Sequence, residues 1–526
     1  MKILLLADEA IAQGALDGGL SAVYAYPGTP STEITEYIQK TNKEIHSRWS
    51  TNEKTAMEEA VGMSFVGKRS MVCMKHVGMN VAADAFMNMA VTGVNGGILV
   101  VAADDPSMHS SQNEQDSRYY GKFALIPVLE PSNQQEAYDM AYEGMELSEK
   151  LGRPVMLRIT TRLAHSRSSI VRREPKAQNT LKFPSIERQF ILLPANAKKR
   201  YADLLASQAL YKESSENSLY NKYIDADNKK LGIIACGIAY NYLMENYPEG
   251  CPYPVLKIGQ YPLPPKQVYK LLEECEEILV LEDGYPLIEE LIKGYTSKGL
   301  KIHGRLDGTL NRQGELNPDI VAKALGLKNE FDTTIPEVVQ MRPPALCMGC
   351  GHRDMYEALN AVMEEYPQGK VFSDIGCYTL GALPPFKAID SCLDMGASIT
   401  MAKGAADGGL FPSVAVIGDS TFTHSGMTGL LDAVNENTNI TVVISDNETT
   451  AMTGGQDSAG TGKLEAICAG LGVKPEHIRV LVPLKKNFEE MKQVIREEIE
   501  YNGVSVIIPR RECLQTLKRK KKTINH

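Results

Sequence analysis

The sequence has no long apolar run, no glycine-rich nucleotide signature and no excess of positive charge. No apolar stretch reaches 18 residues, so we expect no membrane span. The apolar segment at residues 3–7 ends at Asp8 and is too short for a signal peptide, so we expect a cytoplasmic protein. A formal net charge of −9 and a pI near 5.7 argue against nucleic acid as a partner.

Two signatures of common cofactors are also missing. No segment fits G-x-G-x-x-G, and GMSFVGKR at residues 62–69 has arginine where a Walker A loop needs serine or threonine. Nicotinamide and ATP binding therefore have little support. The ten cysteines, in a chain without a secretion signal, indicate free thiols or metal ligands rather than disulfides.

Short apolar runs alternate with helical patterns along most of the chain, which predicts α/β architecture. We predict three doubly wound α/β domains. Their ranges are 1–175, 229–330 and 340–526, with a polar, lysine-rich linker at 176–228. Predicted strands include 23–26, 70–74, 97–102, 154–159, 231–235, 255–258, 277–281, 414–417, 440–444 and 504–508.

The most informative segment lies at residues 418–450. Gly418-Asp419-Ser420 follows one predicted strand, and Asp446-Asn447 follows the next. Because adjacent parallel strands end at the same sheet edge, Asp419 and Asn447 should lie together there. Such oxygen ligands beside a glycine turn suit Mg²⁺ and a diphosphate, as in the G-D-G…N motif of thiamine diphosphate (ThDP) enzymes. The alternative is an ordinary βαβ unit with a polar turn.

ThDP also needs a carboxylate hydrogen-bonded to its aminopyrimidine ring. The stretch NEKTAMEEAVG at 52–62 is similar to the start of the helix that carries this group, a glutamate followed nine residues later by glycine. By that match Glu53 is the activator, and Glu59 is the second candidate. The alternative for Glu53 is a solvated carboxylate that stabilises a helix N-terminus.

Two further candidates follow predicted strands. Thr29 lies in the rigid turn YPGTPS at 26–31, where a hydroxyl could hold a substrate carboxylate or serve the turn alone. His76 follows the predicted strand at 70–74, at a sheet edge where ligands bind, although a lone histidine is more often structural.

Four cysteines form a possible metal site. Cys347 and Cys350 form a C-x-x-C pair, Cys377 follows in SDIGC, and Cys513 follows the last predicted strand. This set can hold zinc or an iron–sulfur cluster, and a C-x-x-C pair can also be a redox dithiol. The spacing alone leaves these alternatives open. The other cysteines are predicted to be small buried hydrophobic residues: Cys73, Cys236, Cys251, Cys275, Cys392 and Cys468.

The whole chain resembles the large (alpha) subunit of indolepyruvate:ferredoxin oxidoreductase, in the 2-oxoacid:ferredoxin oxidoreductase superfamily. The stretches that carry the resemblance are NEKTAMEEAVG, MKHVGMNVAADAF, RPPALCMGCGHR, SDIGCYTLGALPPF, GDSTFTHSG and DNETTAMTGGQ. The resemblance implies the ThDP-binding fold, with a pyrimidine-binding first domain and a diphosphate-binding third domain. A transketolase C-terminal-like domain, placed by order alone, lies between them.

The resemblance also implies roles for individual residues. Glu53 activates ThDP, while Thr29 and His76 hold the substrate carboxylate and the developing alkoxide. Cys347, Cys350, Cys377 and Cys513 hold one 4Fe–4S cluster. Around the diphosphate, Mg²⁺ is held by Asp419, Asn447 and the backbone carbonyl of Thr449. The remaining residues expected to bind cofactor or line the pocket are Gly376, Gly418, Ser420, His424 and His352. For each of these two histidines the alternative is a structural role.

The implied reaction is oxidative decarboxylation of an aryl 2-oxoacid, such as indolepyruvate, to acyl-coenzyme A. The implied partners are a homodimer core, a smaller oxidoreductase subunit, and ferredoxin or another electron acceptor. The large subunit of that family continues into a ferredoxin-like domain, and this sequence ends at His526 without one. We therefore expect electrons to leave the proximal cluster to a separate protein. A non-oxidative ThDP-dependent 2-oxoacid decarboxylase and a non-catalytic electron-transfer subunit are the alternatives.

Overall fold

The computed structural model describes residues 2–186, 189–293, 299–311, 314–327, 336–340, 345–392, 395–407 and 409–524. The chain divides into two units, Met1–Thr333 and Thr334–His526. Both units are built on parallel sheets with helices against them, which confirms the predicted α/β fold class. The predicted boundary between 330 and 340 falls largely outside the described residues, and the domain limits stay a prediction.

Strands and helices alternate along most of the first unit. Its strands are β1 (Lys2–Leu6), β2 (Ala22–Ala25), β3 (His46–Trp49), β4 (Ser70–Lys75), β5 (Ile98–Asp104), β6 (Val128–Leu129), β7 (Val155–Thr160), β8 (Arg167–Val171), β9 (Lys222–Ile224), β10 (Leu231–Cys236), β11 (Val255–Ile258), β12 (Gln260–Tyr261), β13 (Glu277–Leu281) and β14 (Lys301–His303). Its helices are α1 (Ala7–Asp17), α2 (Thr32–Thr41), α3 (Glu53–Phe65), α4 (His76–Thr92), α5 (Arg118–Ala124), α6 (Gln134–Leu151), α7 (Thr161–Ala164), α8 (Pro194–Ala206), α9 (Gln208–Glu216), α10 (Ile238–Asn246), α11 (Pro265–Glu274), α12 (Leu287–Lys293) and α13 (Pro318–Ala324).

Two sheets organise this unit. The larger has the strand order β12-β6-β7-β5-β4-β2-β3 and is parallel except for β12. The smaller has the order β14-β13-β10-β11-β9 and is parallel except for β9. The chain passes directly from β11 in the smaller sheet to β12 at the edge of the larger one, and both hydrophobic cores contain residues of both sheets.

The second unit contains one six-stranded sheet, whose strands are all parallel. The sheet has the order β16-β15-β17-β18-β22-β21, and its strands are β15 (Lys370–Ser373), β16 (Ser391–Cys392), β17 (Ser413–Gly418), β18 (Ile440–Ser445), β21 (Ile478–Leu481) and β22 (Val504–Pro509). Two short strands, β19 (Thr449–Thr450) and β20 (Gln456–Asp457), form a separate antiparallel pair. Its helices are α14 (Gly351–Met363), α15 (Ala397–Asp407), α16 (Asp419–Thr421), α17 (Met427–Asn435), α18 (Leu464–Gly470), α19 (Phe488–Glu500) and α20 (Leu514–Ile524). A π-helical turn, Phe422–Gly426, joins α16 to α17.

The central strands are continuous apolar runs because both faces of each sheet are covered by helices. Every residue of β4, β17 and β18 is buried. In the second unit, α14 and α19 pack with one core cluster and α15, α17 and α18 with the other. No helix in the described ranges combines the length and the apolar character that crossing a membrane requires.

Candidate active site

The carboxyl edge of the second unit's sheet carries the predicted magnesium ligands. β17 and β18 are hydrogen-bonded neighbours with Gly418 opposite Ser445. Asp419 therefore leaves one strand where Asp446 and Asn447 leave the next, as the order of apolar runs predicted. Asp419 is buried and begins α16.

The carboxylate of Asp419 is poorly satisfied by the protein. Among the described residues, its Oδ2 atom has no hydrogen-bond partner. Burial raises the pKa of Asp419 to about 7, a hydrogen bond from Ser458 lowers it, and the charge of Asp446 raises it further. A buried, unpartnered carboxylate oxygen is costly unless a cation compensates it, so this donor set suits Mg²⁺.

The turn after β18 is held in a fixed shape. Glu448 has a left-handed backbone with φ of 60°. The Thr449 amide donates to Asn447 Oδ1 at 3.2 Å, and the Thr449 hydroxyl donates to the Gln456 carbonyl at 2.8 Å. The Ser420 and Thr450 hydroxyls are 2.9 Å apart. These bonds position Asn447 and Thr449 beside the strand end where Asp419 lies.

The predicted glycines Gly376 and Gly418 both lie against one aromatic ring. A Cβ atom built on either glycine would lie within 2.5 Å of the Tyr378 ring. The Tyr378 hydroxyl donates to the Ile375 carbonyl at 2.8 Å and lies 3.0 Å from Thr421 Oγ1. The close approach of Tyr378 therefore explains both glycines, and the sequence analysis did not single out this tyrosine.

The two histidines expected near the cofactor are buried. His424 lies in the π-helical turn, and its Nδ1 atom contacts the Ser425 hydroxyl. His352 Nδ1 lies 3.2 Å from Cys350 Sγ, and burial lowers the pKa of His352 to about 4. His352 is therefore neutral at ordinary pH and is directed at a cysteine of the proposed cluster site.

The four predicted cysteine ligands line one cavity of about 130 Å³ within the second unit. Its walls include Cys347, Cys350, Cys377, Cys513 and also Asn447. The Cys350 amide donates to the Cys347 carbonyl at 3.0 Å, which folds the C-x-x-C pair into a turn. Burial raises the pKa of Cys377 to about 12, and the other three cysteines add to the shift.

The spacing of these sulfur atoms bears on the kind of metal. No three of these described cysteine sulfurs lie within 4.8 Å of one another. Four thiolates around one zinc ion would be about 3.8 Å apart. The cavity is thus arranged more widely than a single zinc ion requires. Among the other cysteines, which were predicted to be buried, Cys251 and Cys392 are only half-buried, so the prediction is wrong for these two. Cys392 lies on an edge strand, with its Sγ 3.5 Å from the Asp374 carbonyl.

In the first unit, Glu53 is buried at the start of α3. Asn52 caps α3 by accepting from the Thr55 amide at 2.8 Å, which fixes Glu53 as the first helical residue. Glu53 is only 5% exposed, and a Cβ atom on Gly78 would lie 2.7 Å from its Cγ and Oε1 atoms. Glu59 is exposed and accepts from the Ser50 hydroxyl. Burial therefore favours Glu53 over Glu59 as the activating carboxylate.

Thr29 and His76 follow neighbouring strands of the larger sheet. Thr29 is half-buried in the loop after β2. His76 is fully buried at the start of α4, with Nε2 3.2 Å from the Asn113 carbonyl and, among the described residues, no partner for Nδ1. Nε2 must donate to that carbonyl, so the neutral ring presents an acceptor at Nδ1. Since burial lowers the pKa of His76, the ring is not a ready donor to an anion.

Lys75 is a cation that was not among the site residues predicted from the sequence. It closes the buried strand β4, and its Cβ atom is 3.1 Å from a Cβ built on Gly28, next to Thr29. Its Nζ donates to the Ser110 carbonyl at 2.7 Å. Burial lowers the pKa of Lys75 to about 8, against the opposing charge of Asp105. The sequence feature that could have identified Lys75 is a lysine at the end of an otherwise apolar strand.

Two family models match the chain, one in each unit. "Pyruvate flavodoxin/ferredoxin oxidoreductase, thiamine diP-bdg" matches residues 13–201. "Thiamine pyrophosphate enzyme, C-terminal TPP binding domain" matches residues 374–508. The second match includes Asp419 and Asn447, and the first includes Glu53.

One solved structure supports the same fold. It is 2-oxoglutarate:ferredoxin oxidoreductase from Magnetococcus marinus with 2-oxoglutarate, coenzyme A and succinyl-CoA bound. The TM-score is 0.51 at 17% identity, and the match covers 62% of this chain and 65% of that chain, slightly less than two thirds of its length. At that identity the likeness shows the fold.

Relatives that align with nearly the whole chain show the family to which it belongs. Indolepyruvate oxidoreductase subunit IorA of Archaeoglobus fulgidus is 38% identical over 97% of this chain and 86% of that protein. The subunit of the same name from Methanothermobacter marburgensis is 39% identical over 98% of this chain and 87% of that protein. The predicted resemblance is confirmed: the chain belongs to the family of indolepyruvate oxidoreductase subunit IorA, among the ThDP-dependent 2-oxoacid:ferredoxin oxidoreductases.

Proposed function

We propose that this chain, with a smaller partner subunit, catalyses oxidative decarboxylation of an aryl 2-oxoacid such as indolepyruvate to acyl-coenzyme A. Electrons leave through one 4Fe–4S cluster to ferredoxin or another carrier. The observation that carries the proposal is the shared cavity, in which four cysteines and the proposed magnesium ligand Asn447 line the same space. The family membership supports the choice of substrate class.

Asp419, Asn447 and the carbonyl of Thr449 would hold the Mg²⁺ that binds the diphosphate. The carbonyl is the ligand expected of Thr449 because its hydroxyl already donates to Gln456. When bound, ThDP supplies the electron sink for decarboxylation. Glu53 would hold a proton in a hydrogen bond to the aminopyrimidine, and its burial limits competition from water.

The carboxylate of the substrate needs a cation or several donors. We assign it to Thr29 and to Lys75, which lies beside the turn that contains Thr29. Lys75 is favoured because a buried ammonium gains more from an anion than an exposed one does. His76 lies next to Lys75 and, by its hydrogen bond to Asn113, orients the start of α4.

Electron transfer needs the cluster close to the bound cofactor. The Cys513 amide donates to the Asn447 carbonyl at 3.1 Å, so a proposed cluster ligand is bonded to a proposed magnesium ligand. The four sulfur atoms are not gathered around a single zinc position, and we assign them to one polynuclear cluster. We further propose a homodimer core, which rests on the family resemblance.

The test uses the holoenzyme with its partner subunit under anaerobic conditions. Reduction of ferredoxin or a viologen dye is measured with an arylpyruvate and coenzyme A. We expect turnover in the wild type, loss of turnover with ThDP still bound in Glu53→Gln, and near-normal turnover in the matched control Glu59→Gln. Retained turnover in Glu53→Gln would contradict the assignment. Aldehyde release that needs neither coenzyme A nor an acceptor would identify a non-oxidative decarboxylase instead.

A further inference from the structure

Three side chains with metal-binding atoms meet in the first unit, in a place that the proposed reaction does not use. Asp8 lies in the first turn of α1, Glu33 lies in the first turn of α2, and His165 follows α7. One ligand atom from each lies within 4.8 Å of the other two, and His165 Nε2 is 3.6 Å from Glu33 Oε2. Among the described residues this is the only such group of three.

The backbone brings these residues together independently of any ion. β1 and β8 pair in antiparallel fashion with Leu6 opposite Arg167. The Ala7 amide donates to the Ser166 carbonyl at 3.2 Å, so Asp8 and His165 leave the same end of this pair. Helices α1 and α2 pack in one hydrophobic core, which brings Glu33 alongside.

The buried carboxyl group of Asp8 is not compensated by the described residues around it. It is fully buried, and neither carboxylate oxygen has a hydrogen-bond partner among the described residues. Burial raises the pKa of Asp8 well above its usual range, and the charges of Glu33 and Glu9 add to the shift. A carboxyl group in this state is costly without a compensating partner. The Glu33 and His165 side chains are 38% and 36% exposed, so both extend to the surface, while Glu33 Oε2 itself is buried beside Asp8.

We propose that Asp8, Glu33 and His165 bind one divalent transition-metal ion of the zinc class. One imidazole and two carboxylates form a mixed nitrogen and oxygen ligand set that suits zinc, with water in the fourth position. In a tetrahedral site with ordinary bond lengths the ligand atoms are about 3.4 Å apart. The His165–Glu33 separation is already near this value, and the exposed Glu33 and His165 side chains can adjust toward the fixed Asp8.

The first test counts zinc ions. The full chain is purified anaerobically, loaded with Mg²⁺ and ThDP, and dialysed against Zn²⁺ as wild type, Asp8→Asn, His165→Gln and His109→Gln. His109 is the matched control, because its Nε2 is 3.1 Å from Glu315 Oε2 at an exposed surface. All four proteins keep the same cysteines and the same Asp419, so zinc bound there cancels in the comparison.

We expect the wild type and His109→Gln to bind one more zinc ion per chain than Asp8→Asn. His165→Gln should bind that ion at least about 100-fold more weakly, since changes to outer partners of a metal already cost 10–100-fold. Equal zinc content in all four proteins would overturn the proposal.

A thermal measurement separates metal binding from a folding defect. Without zinc, Asp8→Asn should be at least as stable as the wild type, because the change removes a buried carboxylate that has no partner. Added Zn²⁺ should raise the Tm of the wild type and of His109→Gln, by binding the folded state, by more than it raises the Tm of Asp8→Asn. A zinc-induced rise of the same size in Asp8→Asn would refute the site.

Discussion

The contact between Gly78 and Glu53 offers a sharp test of the activating carboxylate. In Gly78→Ala the new methyl group would lie 2.7 Å from the Cγ and Oε1 atoms of Glu53, closer than an ordinary contact of 3.4 Å. The end of a glutamate side chain can move aside at little cost in stability. Glu53 would therefore have to retreat by about 0.7 Å or more.

A displacement of this size is large for a group that must hold a proton at one ring atom. A 1 Å misplacement can lower a rate about 10²-fold. We expect Gly78→Ala to lower kcat by about 10²-fold with a small change in KM for the 2-oxoacid, because substrate binding does not depend on Glu53. Helix stability should rise slightly, since alanine is a better helix former than glycine by about 1 kcal/mol.

The matched control is Gly62→Ala on α3, where a Cβ atom meets nothing within 4 Å. Both variants are assayed anaerobically with saturating Mg²⁺ and ThDP and with the partner subunit, after circular dichroism and Tm show that they fold. Gly62→Ala should keep the wild-type kcat. Wild-type turnover in Gly78→Ala, or an equal loss in both variants, would refute the role of Glu53.

Two further predictions concern the buried ionic network that joins the two sheets of the first unit. Arg158 donates to Asp104 at 2.7 Å and to Glu130 at 2.6 Å, so Arg158→Met should lower the free energy of unfolding by about 3–5 kcal/mol in urea titrations. The control Arg162→Met, at an exposed ion pair, should change the free energy of unfolding by less than about 1 kcal/mol. Equal losses in the two variants would contradict this prediction. Burial raises the pKa of Glu282 to about 7, so its contribution to stability is full below about pH 4.5 and is lost as the pH rises through 7. As the pH rises from 5 to 8, the free energy of unfolding of Glu282→Gln should therefore increase by up to about 3 kcal/mol relative to that of the wild type. Parallel curves of unfolding free energy against pH would show that the pKa of Glu282 is not raised.

The sequence was most informative where one local pattern decides the structure. The apolar runs at 414–417 and 440–444 are β17 and β18, because a strand covered on both faces needs apolar residues throughout. The order of these strands then placed Asp419 near Asn447 without any knowledge of the rest of the sheet. The grouping of the four cysteines came from the family resemblance, and spacing alone could not have chosen between zinc, a cluster and a dithiol.

Features that depend on distant partners were not predictable. β12 has two residues, too few for a periodic pattern, and it joins the larger sheet only because β6 offers a free edge. β9 lies in the predicted linker and is a strand through its pairing with β11. Lys75 stands visibly at the end of an apolar strand, but its burial depends on the loop around Ser110 and could not be read from the sequence. Tertiary packing decides each of these cases.

The most direct test of the proposed function is the iron and acid-labile sulfide content of the chain after strictly anaerobic purification. We expect about four of each per chain, the content of one cubane cluster. Both should be lost together in Cys513→Ser, because Cys513 lines the cavity with the other three cysteines. Iron and sulfide near zero in the wild type would contradict the cluster, and with it the proposed route for the electrons.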